Sequence, residues 1–273
     1  MDIFRSQPLE RVTLNDKSII NYLELRSETL KELSLDLYNN VDLSFILNFK
    51  RLERLNIEYC FEVLLNNCDK KKLHLKELKL WHCRFRLELL GAFINSFCGD
   101  TLLELSLNID NISKKLIIDF CPNINFLYIK IRARPIDLIL QTICELSLLK
   151  FLHIETEGIE SQVIKFLSDH LISVENLLFN FLIDLKSLEY FTNNCKANLK
   201  KWGIFFRCDP GDPDYLSSYM NNYQKVHKSL KVLGITIRSS SDCQTEENLD
   251  LLLLKSQGVK IISFEKFCSS FYN

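Results

Sequence analysis

Leu75-Lys76-Glu77-Leu78-Lys79-Leu80-Trp81-His82-Cys83 is the stretch on which the reading of this chain turns. Its spacing is L-x-x-L-x-L-x-x-C. Leu78 and Leu80 alternate with polar neighbours, as on a short strand that buries one face. Cys83 falls where the chain leaves that strand, and a small side chain there fills the corner and meets loop backbone.

The three apolar positions of this stretch recur along the whole sequence. They are Leu9, Val12, Leu14; Leu30, Leu33, Leu35; Leu52, Leu55, Ile57; and Leu75, Leu78, Leu80. Then come Leu102, Leu105, Leu107; Ile124, Leu127, Ile129; Leu149, Leu152, Ile154; and Val174, Leu177, Phe179. Leu199, Trp202, Ile204; Leu230, Leu233, Ile235; and Val259, Ile262, Phe264 complete the series. Successive starts are 21 to 31 residues apart and average 25. That period resembles the leucine-rich repeat, in which each unit buries its face only against its neighbours. The expected fold is an α/β leucine-rich-repeat solenoid, a curved horseshoe of about eleven repeats. Parallel strands would line its concave side and helices its convex side, with residues 1–273 forming a single domain.

The segments between strands carry helical spacing: Leu43, Ile46 and Leu47; Leu87, Leu90 and Ile94; Val163, Phe166 and Leu167. Asp137–Ile143 follows Pro135, a helix entry. The longest insert, between Trp202 and Leu233, holds the turn-rich Asp209-Pro210-Gly211-Asp212-Pro213. A helix from Tyr215 to His227 follows, with Tyr215, Tyr219 and Tyr223 four residues apart. It is read as packing on its neighbours, the alternative being a side contact for a partner. Glu265 to Tyr272 is expected to form a closing helix with Phe267 and Phe271 as its apolar face.

Composition narrows the function classes. Of 273 residues, 47% are hydrophobic and 25% charged, which excludes a disordered chain. Only 7 Gly argue against glycine-rich phosphate loops, and a net charge of −1 argues against a nucleic-acid scaffold. Met1–Pro8 has no signal-peptide core, and no apolar run approaches membrane length. A cytoplasmic or nuclear setting is expected, with the 10 Cys as reduced thiols. No H-E-x-x-H, C-x-x-C, Walker loop, G-x-S-x-G or G-x-G-x-x-G occurs. His82-Cys83 beside Cys60 reads as stacked corners, Lys70-Lys71-Lys72 as a solvated loop, and Asn111-Ile112-Ser113 as a formal sequon only. The expectation is a protein that is not an enzyme, with no cofactor, no metal, no nucleic acid and no membrane partner.

A family resemblance rests on the cysteines. Cys121-Pro122-Asn123-Ile124-Asn125-Phe126-Leu127-Tyr128-Ile129 places a Cys just before a repeat; Cys98 and Cys195 do so more loosely, and Cys60 and Cys83 sit at corners. This resembles the cysteine-containing leucine-rich repeats of F-box/leucine-rich-repeat proteins. The Asn-, Lys-, Ile- and Phe-rich wording is similar to the large fungal F-box-like families. The resemblance implies a scaffold that selects protein substrates for a ubiquitin ligase. A Skp adaptor and a cullin would be partners only with an upstream F-box, and this sequence contains none. Met1–Gln7 leads almost directly into a repeat with no polar cap, so either a short cap suffices or the chain is part of something longer.

The side chains that alternate with the buried ones point to the concave face. That ladder begins charged, with Arg11, Glu32, Arg54, Glu77 and Glu104. It turns aromatic in the middle. Trp81, Phe126, Tyr128, Phe151, His153, Leu178 and Phe205 are the candidate partner-binding residues, suited to a protein or peptide, the alternative being that the central ones pack on each other or lie under a loop.

Overall fold

Each described strand that carries a motif begins one residue before the motif's second apolar position, except at the last. A computed structural model describes residues 27–36, 41–60, 63–64, 73–83, 93–94, 101–108, 121–131, 136–208, 213–239 and 252–271. The motif at Leu9, Leu87 and Leu90, Lys70–Lys72, Cys98, the sequon at Asn111, and Asp209–Asp212 lie outside the described residues. The chain is mixed α/β, with parallel strands alternating with helices. It divides into two compact units, Met1–Tyr128 and Ile129–Asn273.

The first unit holds β1 Glu32–Asp36, β2 Val41–Asp42, β3 Arg54–Glu58, β4 Val63–Leu64, β5 Glu77–Trp81 and β6 Glu104–Asn108. The division falls within β7 Phe126–Ile131. Its main sheet runs β1-β3-β5-β6-β7, and β2 and β4 form a separate short ladder. The apolar pattern sets the register. Leu33 stands opposite Leu55, Leu55 opposite Leu78, and Leu78 opposite Leu105; Leu35, Ile57, Leu80 and Leu107 form a second row. All eight are essentially fully buried. A one-residue slip would turn these rows to the other face, so burial of about 1.5–3 kcal/mol per side chain holds the alignment. Leu43–Asn48 forms a 3-10 helix where α-helical spacing was expected; the Asp42 side chain caps it by accepting from Ser44 N.

The second unit holds β8 Phe151–Thr156, β9 Asn176–Ile183, β10 Lys201–Cys208, β11 Val232–Ser239 and β12 Lys260–Ser263, in that sheet order. Its helices are α1 Ile136–Glu145, α2 Glu160–His170, α3 Leu185–Asn194, α4 Pro213–His227, α5 Leu252–Ser256 and α6 Phe264–Phe271. Leu152, Leu177, Trp202 and Leu233 form one buried row. α1 to α4 pack in sequence order, each on the next. Asp184 caps α3 by accepting from Ser187 N at 2.8 Å. In α4 the Tyr223 hydroxyl accepts from Leu199 N and donates to Ala197 O at 2.6 Å, tying the helix to the loop before β10. Tyr223 is fully buried, whereas Tyr215 is exposed.

Two registers differ from the expected ladder. In β9, Leu178 pairs with Gly203 but Leu182 pairs with Phe205, so two extra residues bulge out and Asn180 is not the neighbour of Phe205. In β12, Ile261 pairs with Leu233, and Ile262 stands opposite Gly234. The expected triplet Val259, Ile262, Phe264 is one residue out, because Phe264 already belongs to α6.

One backbone device repeats in both units. At β1, β3, β5, β6, β8, β9 and β10 the residue just before the strand offers a carbonyl that accepts two successive N–H groups from the next strand's start. Lys31 O takes Glu53 N and Arg54 N; Glu53 O takes Lys76 N and Glu77 N; Lys76 O takes Leu103 N and Glu104 N. Lys150, Glu175 and Lys200 do the same further along.

Candidate functional site

In each unit the strands bury one row of side chains and turn the alternate row the other way. The seven expected site residues all lie on such alternate positions, three in the first unit and four in the second.

In the first unit the face is charged with an aromatic end. Arg54 donates twice to Glu32 Oε2, at 3.0 Å from Nε and 2.5 Å from Nη2. Lys79 pairs with Glu77. Asn56 Nδ2 bridges Ser34 Oγ and Glu58 Oε1, each at 3.0 Å. Burial holds the Glu104 carboxyl above its ordinary value, and repulsion from Glu77 adds to it. Trp81 lies against Tyr128, ring centroids 4.7 Å apart and planes tilted by 31°. Tyr128 and Phe126 are buried, and Trp81 is half-buried. These contacts make Trp81 and Tyr128 one apolar platform beside a carboxylate-rich row.

At the exits of β3 and β5, Tyr59 and His82 adopt φ of 57° and 54°, a left-handed conformation uncommon for such residues. Their rings stack at 5.1 Å, and each precedes a buried Cys. The single S–H of Cys83 is shared between Ile57 O, 3.4 Å from Sγ, and Trp81 O, 3.3 Å from it, and burial pushes the thiol up to about 12. A thiol so held is a corner post rather than a nucleophile. Among the described residues, no three His, Cys, Asp or Glu side chains are grouped as a metal ion would need.

In the second unit the chain's own last helix occupies the corresponding face. Trp202 packs against Phe191 of α3 and Tyr223 of α4 with tilted rings, so the side of the sheet bearing Trp202 and Ile204 carries these helices. Gly203, between them, faces the opposite way, and there it meets Phe267 of α6. A Cβ on Gly203 would lie 2.6 Å from Phe267 Cε1 and 2.5 Å from Leu178 Cδ1; one on Gly234 would run into the same ring. Gly203 and Gly234 are opposite one another on β10 and β11. They make a notch in which Phe267 is fully buried. Phe271 meets Phe151 edge-on at 6.0 Å and His153 at 6.4 Å. Phe264 packs on Phe205 at 5.9 Å. The opposite side of α6 is solvated through Glu265, Lys266, Ser269 and Ser270.

Phe151, His153, Leu178 and Phe205 are thus brought together as the seat of α6. His153 is 5% exposed. Burial pushes its imidazole down to about 3, against the opposing pull of Glu155. Beside it, Lys130 pairs with Glu155, whose other oxygen accepts from Asn180 Nδ2 at 3.4 Å. Gly203, Gly234, Phe264 and Phe267 were absent from the expected site. Their signal was in the sequence: two of only 7 Gly occupy the same ladder position, shortly before a helix with Phe at 264, 267 and 271.

No protein-family model matches the sequence, and no curated protein matches it. No described helix is long and apolar enough to cross a membrane.

Proposed function

We propose that the chain is a leucine-rich-repeat solenoid of about eleven repeats that serves as a protein-interaction scaffold. The observation that carries this reading is α6 on the face of β8–β12. The face already holds a polypeptide segment through Phe151 and His153 on β8, Leu178 on β9 and Phe205 on β10. Side chains on the first unit's face add charge: Glu32, Arg54, Glu77, Lys79 and Glu104 run toward the Trp81–Tyr128 platform. Rigid aromatic anchors with charged flanks favour a protein or peptide over a small molecule.

The more specific setting is substrate recognition within an F-box-like ubiquitin ligase, which rests on the cysteine-containing repeat wording alone. A free-standing interaction or inhibitor protein with no ubiquitin link is the second reading. Immunoprecipitation from native cells with mass spectrometry separates them. Recovery of a Skp adaptor and a cullin is expected for the ligase reading. Other proteins without the adaptor would leave a free-standing scaffold, and no stoichiometric partner would overturn both.

A further inference from the structure

We infer that the edge of the second unit where its strands begin docks an acidic polypeptide segment that also carries aliphatic side chains; this rests on the interaction-scaffold reading and gives it a partner class.

The edge is built by the loops that lead from α1–α5 into β8–β12. Main chain stacks them. Lys150 O accepts from Glu175 N, Glu175 O from Lys200 N, Lys200 O from Lys231 N, and Lys231 O from Lys260 N. These residues form one column with a step of about 4.8 Å per strand. Side chains tie the loops further. Ser173 Oγ donates to Leu146 O at 3.2 Å and Ser229 Oγ to Leu199 O at 2.9 Å, while His227 Nδ1 lies 3.2 Å from Asn198 Oδ1. The edge is therefore a fixed array rather than a set of independent loops.

The charge on this array is one-sided. Its loops carry Lys150, Lys196, Lys200, Lys228 and Lys231 against Glu175 alone. The dipoles of α3 and α4 account for Lys196 and Lys228, which directly follow the ends of those helices. They do not account for Lys150, Lys200, Lys231 and Lys260, which stand where strands begin. In the first unit the corresponding column is Lys31, Glu53 and Lys76, where the signs alternate and Lys76 donates to Glu53 Oε2 at 3.0 Å.

The column itself shows what it takes. The Glu175 carboxylate lies between two lysines, 2.6 Å from Lys200 Nζ and 3.5 Å from Lys150 Nζ. Further along, Lys231 and Lys260 are exposed and form no ion pair among the described residues. A carboxylate from outside can meet them as Glu175 meets Lys150 and Lys200. On the same edge Val226 is 77% and Ile172 68% exposed, and Leu148 is exposed as well. Aliphatic side chains among cations suit a chain bearing both carboxylates and apolar groups, whereas a nucleic acid, held through its phosphates, would leave them in water. Single exposed ion pairs are weak, so affinity comes from several contacts along the column and falls with salt.

The probe is a fluorescein-labelled peptide of Glu-Glu-Leu repeats, titrated into the full chain and followed by anisotropy, with a Gln-Gln-Leu peptide as neutral control. The chain is expected to bind the acidic peptide at low salt, release it as salt rises, and ignore the neutral one. Lys231→Glu with Lys260→Glu should weaken binding about ten-fold. Lys165→Glu with Lys186→Glu makes the same charge change at exposed sites on α2 and α3 outside the column, and should leave affinity within about two-fold. No binding at low salt, no loss in the first variant, or equal loss in both overturns the edge. The chain should stay in solution beside phosphatidylserine–phosphatidylcholine vesicles; sedimentation with them makes the edge a lipid surface and overturns the polypeptide. Failure here with partners still recovered from cells would move the interaction to another face and leave the scaffold reading standing. Peptide binding at the edge without recovered partners would do the reverse.

Discussion

Phe267 lies over Gly234 so closely that no side chain larger than hydrogen fits beneath its ring. The two residues are 33 positions apart in the chain, and their contact fixes where the last helix sits on the sheet. Gly203 completes the same notch one strand away.

Gly203→Ala should therefore destabilise the second unit. The new methyl would press on Leu178 and on Phe267, and overpacking of this kind costs about 1–3 kcal/mol. Denaturant unfolding measures it. A variant as stable as the parent would mean that the ring and the leucine move aside freely.

Acid should loosen the same region. The folded His153 has its pKa depressed to about 3 by burial, below the ordinary value of 6.5. Between those values the unfolded chain binds more protons than the folded one, so stability rises with pH. The contribution is complete above about 6.5 and is lost as pH falls toward 3, with a slope of at most about 1.4 kcal/mol per pH unit for one proton. His153→Leu should flatten this dependence in denaturation curves at pH 4 to 7. An unchanged slope would place the acid-sensitive group elsewhere.

Tyr223→Phe should cost about 1–3 kcal/mol. Removing the hydroxyl takes the acceptor from Leu199 N and the donor from Ala197 O, both buried. Thermal unfolding is the measurement, and a loss below about 0.5 kcal/mol would show that other groups take over both roles.

Leu78→Asp should abolish cooperative folding of the first unit. Leu78 is fully buried, between Leu55 and Leu105 in the ladder, and a carboxylate there has no partner in the row. A retained sharp transition would contradict the register.

The ladder was readable in the sequence because its cause is local. Leu75, Leu78 and Leu80 recur at a spacing that strand geometry turns into rows, and ten of the motifs lie on described strands at their expected places or, for the last, one residue away. The closing helix at Phe267 and Phe271 was readable for the same reason, since its apolar face follows helical periodicity. Its destination was not. The pairing of Phe267 with Gly203 and Gly234 joins distant positions, and no periodicity links a glycine in a strand to an aromatic ring in a helix. For this reason the sequence left open whether Phe151, His153, Leu178 and Phe205 bind a partner or lie covered, and it did not name α6 as their cover. The β9 bulge was hidden too: Asn176–Ile183 is apolar almost throughout, and such a run does not reveal where two residues step out of register.

The carbonyls that each clasp two N–H groups have a consequence for divergence. They align successive strands through main chain alone, from Lys31 to Glu53 to Lys76 and from Lys150 to Glu175 to Lys200. Nothing in that clasp depends on which side chain stands on the outward row. Residues such as Arg54, Lys79 or Trp81 can be exchanged one at a time while the strands keep their places. The frame is carried by the main chain, and the outward row is free to change its chemistry upon it.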